Sequence, residues 1–212
     1  MSILNQVFDQ VFVINLEKRE DRREHFQKEL SRLNISYKRI SAVDGESDEV
    51  PDIDGLTPGE VGCILSHKKV LQKIINENIQ LPLILEDDII FEDEFNSRFE
   101  SHFSQLPQDW SMYYLAANTT QDKNLTSVTK NIDRTYKALT THSYSVKLEK
   151  AEKLHKTIED RAFEKPVDNA YTHFQKEEKV YVSSPNLIIQ RESYSNVRGG
   201  FRNYDDVLRE IE

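Results

Sequence analysis

"LPLILEDDIIF", residues 81–91, is the stretch on which the fold reading turns. Its apolar first half is the length of a strand rather than of a helix, so it reads as a strand buried on both faces. Strands of that kind belong to open α/β sheets, which take their ligands beyond the carboxyl ends of the strands. Here that end is Glu86-Asp87-Asp88. Side chains two apart on an extended chain share a face, so Glu86 and Asp88 are expected to project together, with Asp87 opposite.

Working outward, the preceding segment opens with Thr57-Pro58-Gly59-Glu60, a hydroxyl at the N-cap, proline at the first helical position and glutamate three residues after the cap. That is the composition of a capping box and predicts a helix from Pro58 carrying Val61, Ile64, Leu65, Val70, Leu71, Ile74 and Ile75. Further upstream, 11–16 reads as a first buried strand. Residues 17–34 place Phe26, Leu30 and Leu33 at helical spacing, with Asn34 as the stop, and 37–43 returns to strand. The acidic stretch 46–55 reads as loop. Downstream, strands are expected near 112–116, 140–146, 180–182 and 187–189, helices over Ala151, Leu154 and Ile158 and over 168–175, and a polar loop at 118–133. The alternation predicts an α/β fold in one domain.

Composition bounds the function. The chain has 212 residues, 28 Lys and Arg against 37 Asp and Glu, and a formal charge of −9, which disfavours non-specific attraction to nucleic acid or an anionic bilayer. One cysteine, Cys63, excludes an intramolecular disulfide framework. With no apolar run of about 20 residues, a cytoplasmic location is expected, and contact with a membrane that carries a substrate would need a local patch.

Two carboxylates held close raise each other's pKa unless a cation sits between them. Hard oxygen ligands in a short pair suit Mg²⁺ or Mn²⁺ and leave coordination positions for phosphate. Asp88 and Glu86 are therefore the candidate metal ligands, and the pattern fits a metal–diphosphate clamp. A solvated acidic loop is the plain alternative. In "GCILSHKK", Cys63 and His67 are neighbours at i,i+4, yet a free cysteine is usually a small buried hydrophobe, so no covalent role is expected.

"VFVINLEKREDRREHFQKELSRLNISYKRISAVDG", "LTPGEVGCILSHKKVLQKII" and "LPLILEDDIIF", in that order over 11–91, resemble glycosyltransferase family 25, with a weaker echo in "PVDNAYTH" and "VYVSSPNLIIQRESYSN". The resemblance implies a GT-A-like, Rossmann-related fold with a mixed central sheet flanked by helices. It also implies transfer of a sugar, commonly galactose from a UDP-sugar donor, to a glycan or glycoconjugate acceptor with inversion. Residues 1–116 would form the nucleotide-sugar half, 117–134 a variable polar loop and 135–212 the acceptor half. A diphosphate leaving group needs charge neutralisation, which a Mn²⁺ or Mg²⁺ held by Asp88 and Glu86 would supply.

Inversion also needs a base on the far side of the sugar. Asp168 is the leading candidate, at a position where this family shows a similar motif, with helix capping as its ordinary alternative. Asp87 and Glu86 are rivals. Asn15, Leu16, Arg19 and Arg22 follow the first strand and are candidate donor contacts, Arg19 foremost, because guanidinium groups suit phosphate. Ser66 and His67 match the family motif and are expected to line the donor pocket. A glycoside hydrolase, whose carboxylates stand about 5–10 Å apart, and a nucleotide-sugar-binding module without turnover are the competing readings.

Overall fold

A computed structural model describes residues 1–47, 49–161, 167–191, 193–195 and 200–202. In chain order the elements are α1 (Ile3–Val7), β1 (Gln10–Asn15), α2 (Glu20–Arg32), β2 (Lys38–Ser41), α3 (Pro58–Asn76), β3 (Pro82–Glu86), β4 (Ile89–Phe91) and α4 (Phe95–Phe103). They continue with β5 (Met112–Tyr114), β6 (Thr126–Ser127), β7 (Ile132–Arg134), β8 (Ser143–Val146), α5 (Leu148–Arg161) and α6 (Val167–Glu177). Last come β9 (Val180–Ser183), β10 (Ile188–Gln190), β11 (Ser193–Ser195) and β12 (Gly200–Arg202).

Among the described residues, eight strands form one mixed sheet in the order β2-β1-β3-β8-β5-β9-β7-β6. β2, β1 and β3 run parallel, and β8 enters antiparallel between β3 and β5. This is the α/β alternation that the sequence patterns predict, in the mixed, helix-flanked sheet that the family resemblance implies. Strand periodicity sorts its side chains into two cores. Val11, Val13, Leu83 and Leu85 pack on one face with Phe26 and Leu30 of α2 and Phe95 and Phe99 of α4. Phe12, Ile14 and Ile84 pack on the other with Ile64 and Leu71 of α3 and Leu154 of α5. Each such side chain fully buried contributes about 1.5–3 kcal/mol, and a one-residue slip of β1 or β3 would exchange the two sets.

The local signals act as expected where they are strong. Thr57 caps α3 through a complete capping box with Glu60. Asn34 stops α2 with φ 52°, a left-handed conformation that asparagine tolerates. Three differences stand out. The stretch 118–133, read as loop, contributes β6 and the start of β7 to the sheet edge, because Ile132 is buried and its strand pairs with β9. β10 leaves the main sheet and pairs with β4 instead. The chain also turns at Asp87-Asp88, between β3 and β4, so strand alternation ends at Glu86. No helix among the described residues is long and apolar enough to cross a membrane.

Candidate active site

One cavity opens at the carboxyl ends of β1 and β3, and it is lined by Leu16, Arg19, Arg22, Ser66, His67, Glu86, Asp87, Asp88, Asp168 and Gln190, with the 42–46 loop and Thr140-Thr141. Register explains the meeting of the first elements: β1 and β3 lie side by side with Ile14 opposite Glu86. Asn15 therefore sits beside the acids. Its Nδ2 donates to Asp87 Oδ2 at 2.7 Å, and it is 1% exposed.

From the first turn of α2, Arg22 Nη1 donates to Asp87 Oδ1 at 2.7 Å and lies 3.3 Å from Asp88 Oδ2. Arg19 lines the cavity too, but its guanidinium forks onto Asp21 through two bonds of 2.8 Å. Asp87, expected to face away from Glu86 and Asp88, instead joins them on the cavity, because the turn after Glu86 breaks the alternation.

The three carboxyl groups occupy different electrostatic settings. Asp88 is raised to about 7, first by burial and further by Glu86 and Asp87, against the opposing pull of Arg22. Burial pushes Glu86 the same way, but His67, the nearby His142 and the Thr141 hydroxyl together outweigh it and hold its carboxyl below the usual range. Thr141 Oγ1 donates to Glu86 Oε1 at 2.8 Å, and His67 Nε2 stands 3.3 Å from the same oxygen. On its other side, His67 Nδ1 meets the Tyr144 hydroxyl at 3.0 Å, which in turn meets the Tyr171 hydroxyl at 2.8 Å.

Ser66 is 2% exposed and uses its hydroxyl structurally, donating to Gly62 O at 2.6 Å and accepting from Val43 N at 2.8 Å. The loop after β2 thereby lies flat on α3. Glycine is needed for that approach: a Cβ on Gly62 would come within 2.7 Å of Val43 O, and one on Gly45 would overlap Pro58 O. Lys18 ties the loop's outer part to the start of α2 through Asp44 and Glu46, both at 2.8 Å. Asp168 reaches the cavity from the first turn of α6, where its Oδ1 accepts from Asn169 N at 2.9 Å.

The donor set suits a hard dication. Three carboxylates share the mouth of one cavity, Arg22 brings its guanidinium to two of them, and the buried Gln190 places its Nε2 3.4 Å from Asp88 Oδ1 while its Oε1 has no hydrogen-bond partner among the described residues. Sequence reasoning missed Thr141 altogether, since its contact with Glu86 depends on the long-range pairing of β3 with β8. Thr140, with φ 75°, is a β-branched residue in the left-handed region, a costly conformation of the kind that clusters at ligand-binding sites. Nothing in the local sequence signals it.

A sequence model described as "Glycosyltransferase family 25 (LPS biosynthesis protein)" matches residues 8–171. Procollagen galactosyltransferase 2 of Homo sapiens is 29% identical over 170 residues, which cover 69% of this chain and 27% of the relative. Inactive glycosyltransferase 25 family member 3 of Homo sapiens is 32% identical over 141 residues, covering 57% of this chain and 24% of the relative. The matched part of the chain spans about a quarter of the length of these two relatives. Among solved structures, a glycosyltransferase involved in glycosylation of the major capsid of PBCV-1 aligns over 82% of this chain and 92% of its own, at 10% identity and TM-score 0.42.

Proposed function

Because the chain belongs to glycosyltransferase family 25, we propose that it transfers a hexose, galactose foremost, from a UDP-sugar to a hydroxyl of a glycan or glycoconjugate, with inversion and the help of a divalent cation. The observation that carries this reading is the convergence of Glu86, Asp87 and Asp88 on one cavity, where, among the described residues, Arg22 is the guanidinium that pairs with them. The excess negative charge calls for a cation, and a nucleotide diphosphate is the ligand class that brings one with it.

Asp88 and Glu86 would hold the ion, with the Gln190 amide oxygen beside them. When bound, Mn²⁺ or Mg²⁺ supplies Lewis acidity to the departing diphosphate. Arg22 and Asn15 fix Asp87 by donating to both of its oxygens, at 2.7 Å each, which leaves that carboxylate poorly placed to take a proton. Asp168 enters from another element, clear of this network, and supports the role of base for the acceptor hydroxyl. His67 and Thr141 orient Glu86. The galactosyltransferase relatives support galactose as the donor sugar, whereas the relatives named inactive favour a second reading, a nucleotide-sugar-binding module without turnover.

Calorimetric titration of UDP-galactose with and without Mn²⁺, run beside product formation on an acceptor panel, separates these. Metal-dependent affinity with transfer is expected, and affinity without turnover would establish the module. Asp88→Asn should remove the metal dependence and the turnover while keeping the fold; undiminished turnover would take Asp88 out of the mechanism. Asp168→Asn should lower kcat by about 10²–10⁴-fold with donor affinity little changed. A collapse of donor affinity would instead make Asp168 a pocket residue.

A further inference from the structure

The cavity contains a second donor set, different in chemistry from the acids of the clamp. Cys63 and His67 stand one turn apart on α3, and Glu86 faces them from the end of β3. The cysteine sulfur, an imidazole nitrogen and a carboxylate oxygen all lie within 4.8 Å of one another. We propose that Cys63, His67 and Glu86 bind a thiophilic divalent ion of the Zn²⁺ class, with the remaining coordination position open to the cavity.

Thiolate, imidazole and carboxylate are the zinc ligands, and three protein donors with an open fourth position are the pattern of reactive zinc sites. Mg²⁺ and Mn²⁺ favour oxygen and have little use for the sulfur. The surroundings are those that hold metal ligands in place. A ligating histidine generally has its second nitrogen fixed by a hydrogen bond, and His67 Nδ1 meets the Tyr144 hydroxyl at 3.0 Å, with Tyr171 behind it. His67 Nε2 stands 3.3 Å from Glu86 Oε1 on the cavity side, and the Tyr144 hydroxyl can accept the ring proton's hydrogen bond at Nδ1 when Nε2 turns to an ion. In the metal-free chain a proton on Nε2 bridges the same pair, and the ion takes the place of that proton. Thr141 secures Glu86 in the same way.

Cys63 is half-buried and lines the cavity, so an ion reaches it from solvent. On binding, the Cys63 thiol gives its proton to solvent, the His67 ring proton passes from Nε2 to Nδ1, and three metal–ligand bonds replace bonds from the ion to water. The site goes beyond the transferase reading and does not depend on it. One consequence does rest on that reading: Glu86 belongs to both sets, so Zn²⁺ is expected to inhibit transfer supported by Mn²⁺.

Co²⁺ is the probe for the test. The intact chain should bind one Co²⁺ with a thiolate-to-cobalt charge-transfer band, which Zn²⁺ discharges and Mg²⁺ does not. Cys63→Ser should abolish the band and weaken Zn²⁺ binding by at least ~10-fold, the lower end of what even outer-shell changes cost. A measurement without any variant is alkylation of Cys63, which Zn²⁺ should slow and Mg²⁺ should not. A folded chain with no band and with equal alkylation rates in both ions would overturn the site, as would undiminished Zn²⁺ binding by folded Cys63→Ser. Asp88→Asn should keep the band. A band in a chain that transfers no sugar therefore refutes only the transferase reading, and transfer without a band refutes only this one.

Discussion

Arg22 is where stability and site chemistry meet in a single side chain. Its guanidinium serves Asp87 at 2.7 Å and Asp88 at 3.3 Å, and all three side chains are nearly buried, at 12%, 8% and 8% exposure. Removing one member of a buried ionic group leaves the others uncompensated, at a cost of about 3–5 kcal/mol. Arg22→Met should therefore lose roughly that much in urea unfolding at neutral pH. The deficit should shrink on acidification, as the stranded carboxylates take up protons. A deficit that stays constant with pH would show that the arginine contributes through packing alone. The three acids and the arginine were legible in the sequence as candidates, yet the partnership was not. Arg19, nearer the strand end, turns to Asp21, and one turn of helix brings Arg22 to the acids instead. The direction of Asp87 was misread for a local reason, since alternation holds only while the strand continues, and β3 stops at Glu86.

Among the elements, α3, α5 and α6 pack on one another over one face of the sheet. The α6–β9 link is fastened to α5 by Glu178, which receives Lys153 at 2.7 Å, Lys150 at 3.0 Å and the Ser111 hydroxyl at 2.8 Å. Burial alone would raise the Glu178 carboxyl, but these donors outweigh it and hold it at about 2, against an ordinary value of 4.5. A depressed acid stabilises the fold above its unfolded pKa, and that contribution disappears as pH falls through the folded value. Glu178→Gln should therefore cost on the order of 1–2 kcal/mol at neutral pH, allowing for solvent screening of the lysines, and almost nothing near pH 2. Thermal melts across that range check it. The helices were unequally readable. α3 announces itself with a capping box, whereas α4 starts from Glu94 in a left-handed conformation with no side-chain cap. Its first turn follows "EDE" and is hidden in an acidic run. Strands β6 and β7 were missed because "NLTSVTKNIDR" alternates weakly, and long-range pairing with β9 supplies what local preference lacks.

For the whole molecule, the cavity walls come from both parts of the chain, so ligand binding should tighten the fold across its length. With UDP-galactose and Mn²⁺ at one hundred times the dissociation constant, unfolding free energy should rise by about 2.7 kcal/mol. Hydrogen exchange should slow in the 42–47 loop and at 140–142 together. Protection confined to the first loop would mean that the β8 side takes no part in donor binding. The placement of β8 has a consequence of its own. Running against its neighbour β3, it begins beside the residues where β3 finishes, and so it delivers Thr141 and Tyr144 to Glu86 and His67. Although the acids are contiguous in sequence, the apparatus around them is indivisible. A fragment cut before residue 140 would retain the aspartates and their arginine but lose the hydroxyls that steady the glutamate and the imidazole, and no swap of the first half alone could carry the intact centre into another protein.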